Sequence, residues 1–250
     1  MAGSFTKYPT AIDVIQAVQG QLGLPVSAAA ATNPTDETAQ QMLRLLTWSG
    51  RRLLKPTSTF RWSTLLKTWA LTTNTVDTLY DLPADWDSFE DLTGWNFTSR
   101  LPMLGPATDP QWQCLKARNL GSSTISVIYR VRGGQFEIYN TFSSAQNLRI
   151  DYSSRSWVRI AGTTPATYRD YVLADDDTLM LDNELLTAKL KLAFLSAKGF
   201  DTTGAQSDYN EIEEAAICAD QDAPVLQLAR SDTYPLISTQ FNVPDTGYGS

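Results

Sequence analysis

The sequence predicts an α+β protein, with a helical bundle body, an inserted antiparallel β-rich domain and an extended C-terminal arm. Three observations carry this expectation. Apolar residues recur at helical spacing in residues 10–55 and again in 183–220. Between them lie short runs rich in Thr, Trp, Tyr and branched residues, separated by turn residues, which is the texture of strands. Beyond residue 222, Pro224, Pro235, Pro244 and the closing "DTGYGS" mark an extended tail. The expected divisions are 1–66 for the N-terminal helical part, 67–160 for the β-rich insertion, 161–222 for the C-terminal helical part that completes the bundle, and 223–250 for a docking arm.

The first helix is predicted over residues 10–22. Thr10 caps it with Asp13 three residues on, Ala11, Val14, Ile15, Val18 and Leu22 form one apolar face, and Gly23 with Pro25 ends it. A second, over 35–55, follows the loop "SAAAATNPT" and carries Met42, Leu46, Ser49 and Leu53 on one stripe. Arg51, Arg52 and Lys55 fall in its last turn, where cations complement the helix dipole, so this basic cluster needs no nucleic acid to explain it.

Past Pro56, residues 67–73 and 78–82 read as strands with "TNTVD" as the turn between them. Further strands are expected at 125–131, 135–139 and 148–152, interrupted by a helical turn in "TDPQWQCLKA", where Asp109 and Pro110 stand in the order that starts one. The stretch "YRVRGGQFEIY" sets Arg130 and Arg132 beside Gly133-Gly134. A phosphate loop would follow its glycines with a helix, but strand formers follow here, so the pair reads as the turn of a tight hairpin.

In the last third, "ADDDTLMLDNELLTAKLKLAFLSAKGF" places Asp175, Asp176, Asp177, Asp182 and Glu184 ahead of or within the first turn of a strongly apolar helix. Leu186, Leu190, Ala193 and Ala197 line one side with Leu185, Leu192 and Leu195 adjacent, leaving only the Thr187, Lys191 and Lys198 edge for water, so this helix should be central. The acidic run is no EF-hand loop, because Met180 and Leu186 stand where Gly and Glu are required, and capping or solvation is the expectation for it. A final helix carries Tyr209, Ile212, Ala216 and Ala219 on one stripe and Glu211, Glu213 and Glu214 on a solvated face. The tail beyond it holds Leu226, Leu228, Tyr234, Ile237 and Phe241, too apolar for an idle linker and suited to docking on a partner.

Composition narrows the chemistry. The chain has 250 residues and no histidine, which removes Ser-His and Cys-His nucleophile pairs and His-ligated zinc; carboxylate or lysine chemistry is left open. Cys114 and Cys218 make neither a disulfide framework nor a metal cluster, and no cofactor site is legible. No stretch is long and apolar enough for a bilayer and no secretory pattern opens the chain, so residence in a cytoplasm is expected and the acceptor-like Asn96-Phe97-Thr98 is read as a chance match. The net charge of −7 divides as −1 over residues 1–90, +4 over 91–160 and −10 over 161–250. Only the mildly basic middle offers a face to nucleic acid, and the acidic last third repels it.

Five stretches in order, "TLYDLPADWDSFEDLTGWN", "RLPMLGPATDPQWQCLKA", "YRVRGGQFEIYN", "LRIDYSSRSWV" and "ADDDTLMLDNELLTAKLKLAFLSAKGFD", together resemble the head-to-tail adaptor proteins of tailed bacteriophages, those of short-tailed phages most. The similarity covers roughly residues 5–222. It implies a structural, non-enzymatic virion protein at the head–tail junction, assembled in the host cytoplasm. Such proteins form a ring, expected to be a dodecamer, beneath the portal protein. The ring extends the DNA channel and carries tail or nozzle proteins, with helical parts side by side, the β domain toward the tail and the arm on the portal. Phage DNA would pass without sequence-specific binding and no membrane is involved. Arg130 and Arg132 are then expected at a subunit or tail interface, and acidic side chains along the channel. Two other functions fit fewer features: a tail-associated glycoside hydrolase using a carboxylate pair such as Asp175 and Glu184, and a carbohydrate-binding tail module stacking sugars on Trp86, Trp95 and Trp112.

Overall fold

The structure is a computed structural model that describes residues 8–33, 36–56, 60–118, 126–139 and 141–220. Helix α1 (Ala11–Gln21) opens with a full capping box: the Asp13 amide donates to the Thr10 hydroxyl, and the Thr10 amide donates to the Asp13 carboxylate at 3.1 Å. In α2 (Glu37–Leu53) the cap is Asp36, and the buried stripe is Ala39, Met42, Leu46, Ser49, Gly50 and Leu53. The predicted apolar stripe is therefore the buried one.

The middle of the chain contributes β1 (Leu66–Thr72), β2 (Leu79–Asp81), β3 (Trp86–Phe89), β4 (Trp95–Asn96), β5 (Leu101–Leu104), helix α3 (Asp109–Arg118), β6 (Val127–Arg132), β7 (Gln135–Ile138) and β8 (Asn147–Ser154). They form one sheet in the order β1-β8-β4-β5-β6-β7-β2, with β3 also bonded to β8. Although "TNTVD" does lie between β1 and β2, these strands end up at the two ends of the sheet. Strand β1 pairs instead with β8, seven residues in register, setting Trp69 opposite Ile150 and Leu71 opposite Leu148. Three-residue β2 offers no comparable ladder and pairs with β7. The sheet is antiparallel except for β5 and β6, which run parallel with Met103 opposite Val127, so it is mixed rather than uniformly antiparallel.

Beyond it, β9 (Val158–Arg159), β10 (Tyr168–Arg169) and β11 (Thr178–Leu179) make a small antiparallel sheet in the order β10-β9-β11. Helix α4 (Asn183–Lys198) is capped by Asp182 and stopped at Gly199, and it packs against α1, α2 and α5 (Thr203–Asp220). It is the central helix that its apolar content requires. Its predicted water-facing edge shifts slightly: Thr187 is buried while Ala197 is exposed.

Buried apolar side chains fall into two clusters. One joins α1, α2, α4 and Tyr209 of α5 with Phe60, Trp62, Leu65, Trp157 and Val158; the other gathers Met103, Val127, Tyr129, Phe136, Ile138, Phe142, Leu148 and Ile150. Trp157, just past β8, reaches into the helical cluster against Gly50, where an added Cβ would stand 2.1 Å from its ring. Only glycine fits there. At the end of α5, the Asp220 carboxylate accepts from the Ser63 amide at 2.8 Å and hydroxyl at 2.7 Å, three residues before β1 begins.

Candidate functional site

The hairpin of β6 and β7 turns on Gly133 and Gly134 with φ of 62° and 77°, the pair of positive values that a two-residue hairpin loop demands. Arg130 sits on β6 directly opposite Glu137. Its side chain is 8% exposed, with Nε 2.6 Å and Nη2 2.5 Å from Glu137 Oε2, and Nη1 3.1 Å from Asp109. The guanidinium also lies 4.5 Å from the Trp112 ring centroid. Arg130 thus fastens α3 to the sheet, and its fork is taken by a carboxylate of its own chain rather than a neighbour's. Arg132 follows on the same face of β6 but is 62% exposed and 4.0 Å from Asp109, so it is the hairpin arginine that can reach a partner.

The acidic run before α4 is structural. Asp175 accepts from the amides of Ala30 and Ala31, both at 2.9 Å, tying the loop after α1 to residue 175. Asp177 is fully buried, accepts from the Leu173 and Ala174 amides and pairs with Arg169. Solvation, expected for this run, holds for exposed Asp176 but not for Asp177, whose Oδ2 takes an internal arginine and two amides in place of water. Asp182, not the triplet, caps α4. Of the proposed carboxylate pair, Asp175 is already committed to two amides, while Glu184 is exposed at a groove between α1, α4 and α5. A glycosidase acid needs a raised pKa. Among the described residues, hydrogen bonds hold Asp36, Asp85 and Asp201 below the ordinary carboxylate range, the opposite of what such an acid requires.

Trp112 is fully buried beneath Arg130 and beside Tyr139, so it cannot stack a sugar; Trp86 and Trp95 are half-buried. Asn96 is buried and its side-chain oxygen accepts from the Thr98 and Ser99 amides, which accounts for the glycosylation-like triplet. Leu226, Leu228, Tyr234, Ile237 and Phe241 lie outside the described residues.

The helical body carries two faces of opposite charge. Along α2, Arg44, Trp48 and Arg52 recur every four residues and are all exposed; the Arg52 guanidinium lies 4.3 Å over the Trp48 ring. Beside them a groove of about 360 Å³ opens between α2 and α4, lined by Arg44, Leu45, Trp48, Ala193 and Ala197. Nearby, burial pushes the Lys189 ammonium below its ordinary pKa; Glu213 pushes back and Arg52 adds repulsion. On α5 the outward face is Glu211, Glu214, Ala215 and Cys218, all exposed. Among the described residues, Arg44, Arg52, Glu211 and Glu214 have no ion-pair partner. The helical stripe Arg44-Trp48-Arg52 was legible as an i, i+4, i+8 repeat, but reading Arg52 as dipole compensation hides it. No family model matches the chain, and no curated protein matches it significantly. Among the described residues no helix is long and apolar enough to cross a membrane.

Proposed function

We propose that the protein is a head-to-tail adaptor of a short-tailed bacteriophage, a structural ring subunit that joins the DNA-filled head to the tail. The observation that carries this proposal is the order of elements: two N-terminal helices, a β-rich middle, then a long apolar helix and an acidic helix that return to complete one bundle. That is the order implied by the five-stretch resemblance. The separate β-region core supports it further, because a region with its own core can face tail proteins while the helices face neighbouring subunits. In this role the arm reaches the portal, and carboxylates left facing the bore keep DNA from sticking.

The test is the native mass of the full chain, alone and mixed with portal rings from the same genome. A stoichiometric ring-on-portal complex is expected. A chain that stays monomeric and ignores the portal overturns the proposal.

A further inference from the structure

The basic, aromatic face of α2 and the acidic face of α5 lie on different helices of one body, both supported by α4. A groove with an exposed tryptophan at 46% and unpaired arginines is half of an interface. The other half needs a narrow helical ridge with carboxylates beside it. Helix α5 presents that ridge: Ala215, Cys218 and Ala219 are small and exposed, and Glu211 and Glu214 flank them. Small side chains let a helix backbone approach closely, and the glutamates then meet arginines within reach of long side chains.

We infer that the α2/α4 groove, with Arg44, Trp48 and Arg52, receives the Glu211/Glu214 face of α5 from a second copy of this chain. The contact is heterologous, since groove and ridge are different surfaces, so each subunit offers one of each and the assembly grows head to tail until it closes. This assigns the subunit contact within the proposed ring and rests on that proposal for its biological setting, although the charge complementarity stands by itself.

The test uses the full chain and two charge reversals, Arg44→Glu/Arg52→Glu and Glu211→Arg/Glu214→Arg, followed by sedimentation velocity and native mass spectrometry. Wild-type protein should self-assemble, with assembly weakening between 50 mM and 500 mM salt, on the order of the loss expected when exposed charges are screened. Each reversed variant alone should need at least roughly tenfold more protein to assemble. Mixed together, the two variants should assemble again in alternation, because each restores the opposite charge that the other lacks. Misfolding cannot produce that rescue. Trp48→Ala should weaken the wild-type contact by roughly tenfold or more.

A wild-type chain that remains monomeric at every salt concentration overturns the contact, while the portal-mixing experiment still judges the adaptor proposal. Assembly unaffected by either reversal also overturns it and leaves a ring built on other faces. A mixture restored only to dimers shows a closed two-fold pair and sinks the head-to-tail geometry.

Discussion

The helical body and the β region solve the same problem with different means. Among the described residues the body gathers 22 buried apolar side chains into its cluster, so hydrocarbon packing carries most of its stability, beside its caps and the buried Arg169–Asp177 pair. Among the described residues the β region gathers eight into its cluster, and its strands are short. It compensates with interlocked rings, Trp69 at 5.2 Å and Tyr129 at 4.9 Å from Phe136, and with charged fasteners set into the sheet: Arg130 on Glu137 and Asp109, and Lys67 on Asp85 at 2.6 Å. The lesson is that a thin core fixes its geometry with directional contacts, which are costly to break one at a time.

The sharpest way to break this contrast is Arg130→Met. It strands a largely buried Glu137 with only Lys116 at 3.8 Å, and should cost about 3–4 kcal/mol in urea unfolding. Arg130→Met/Glu137→Leu should recover most of that loss, since no charge is then orphaned. A single-variant cost under about 1 kcal/mol would show that the fork is dispensable and the contrast mistaken. Next comes the seam: Gly50→Val forces a side chain into the Trp157 ring and should cost about 3 kcal/mol. Near-UV circular dichroism of the tryptophans should change with it, whereas a silent substitution would mean that the two regions touch loosely.

Acid titration sharpens the contrast further. Burial raises the Asp85 pKa, but the hydrogen bonds from Lys67, Ser154 and Tyr152, with the Lys67 charge, outweigh it and hold the carboxyl below its ordinary value. A group depressed in the folded state stabilises fully above its unfolded pKa and loses that contribution as pH falls through the folded one. Stability should therefore drop below roughly pH 4, and Asp85→Asn should flatten that drop while lowering stability near neutrality. The smallest effect belongs to the body: Thr10→Ala removes one half of the α1 capping box and should cost about 1 kcal/mol by thermal unfolding. A larger loss would mean that the body leans on directional contacts as much as the sheet does.

The two regions also differ in how much of them the sequence reveals. Caps and apolar stripes act within one or two turns, so Thr10, Met42, Leu46 and the Asp182–Gly199 frame of α4 could be placed from spacing alone. The hairpin at Gly133-Gly134 was equally legible, because its turn chemistry is local. Pairing of β1 with β8 was not, since the register depends on Ile150 and Leu148, some 80 residues away from Trp69 and Leu71. The same gap hid the work of Arg130 and Asp177: residue type and neighbours suggest exposed charges, and only the fold brings Glu137, Asp109 and Arg169 to them.

The Asp220 carboxylate, bonded twice to Ser63, gives the molecule a mechanical property. The end of α5 is thereby tied sideways to Ser63, next to Trp62, whose indole N–H is itself held by the Leu53 carbonyl at 2.6 Å. Two side chains, Asp220 and Trp62, thus link the ends of α5 and α2 to the root of β1.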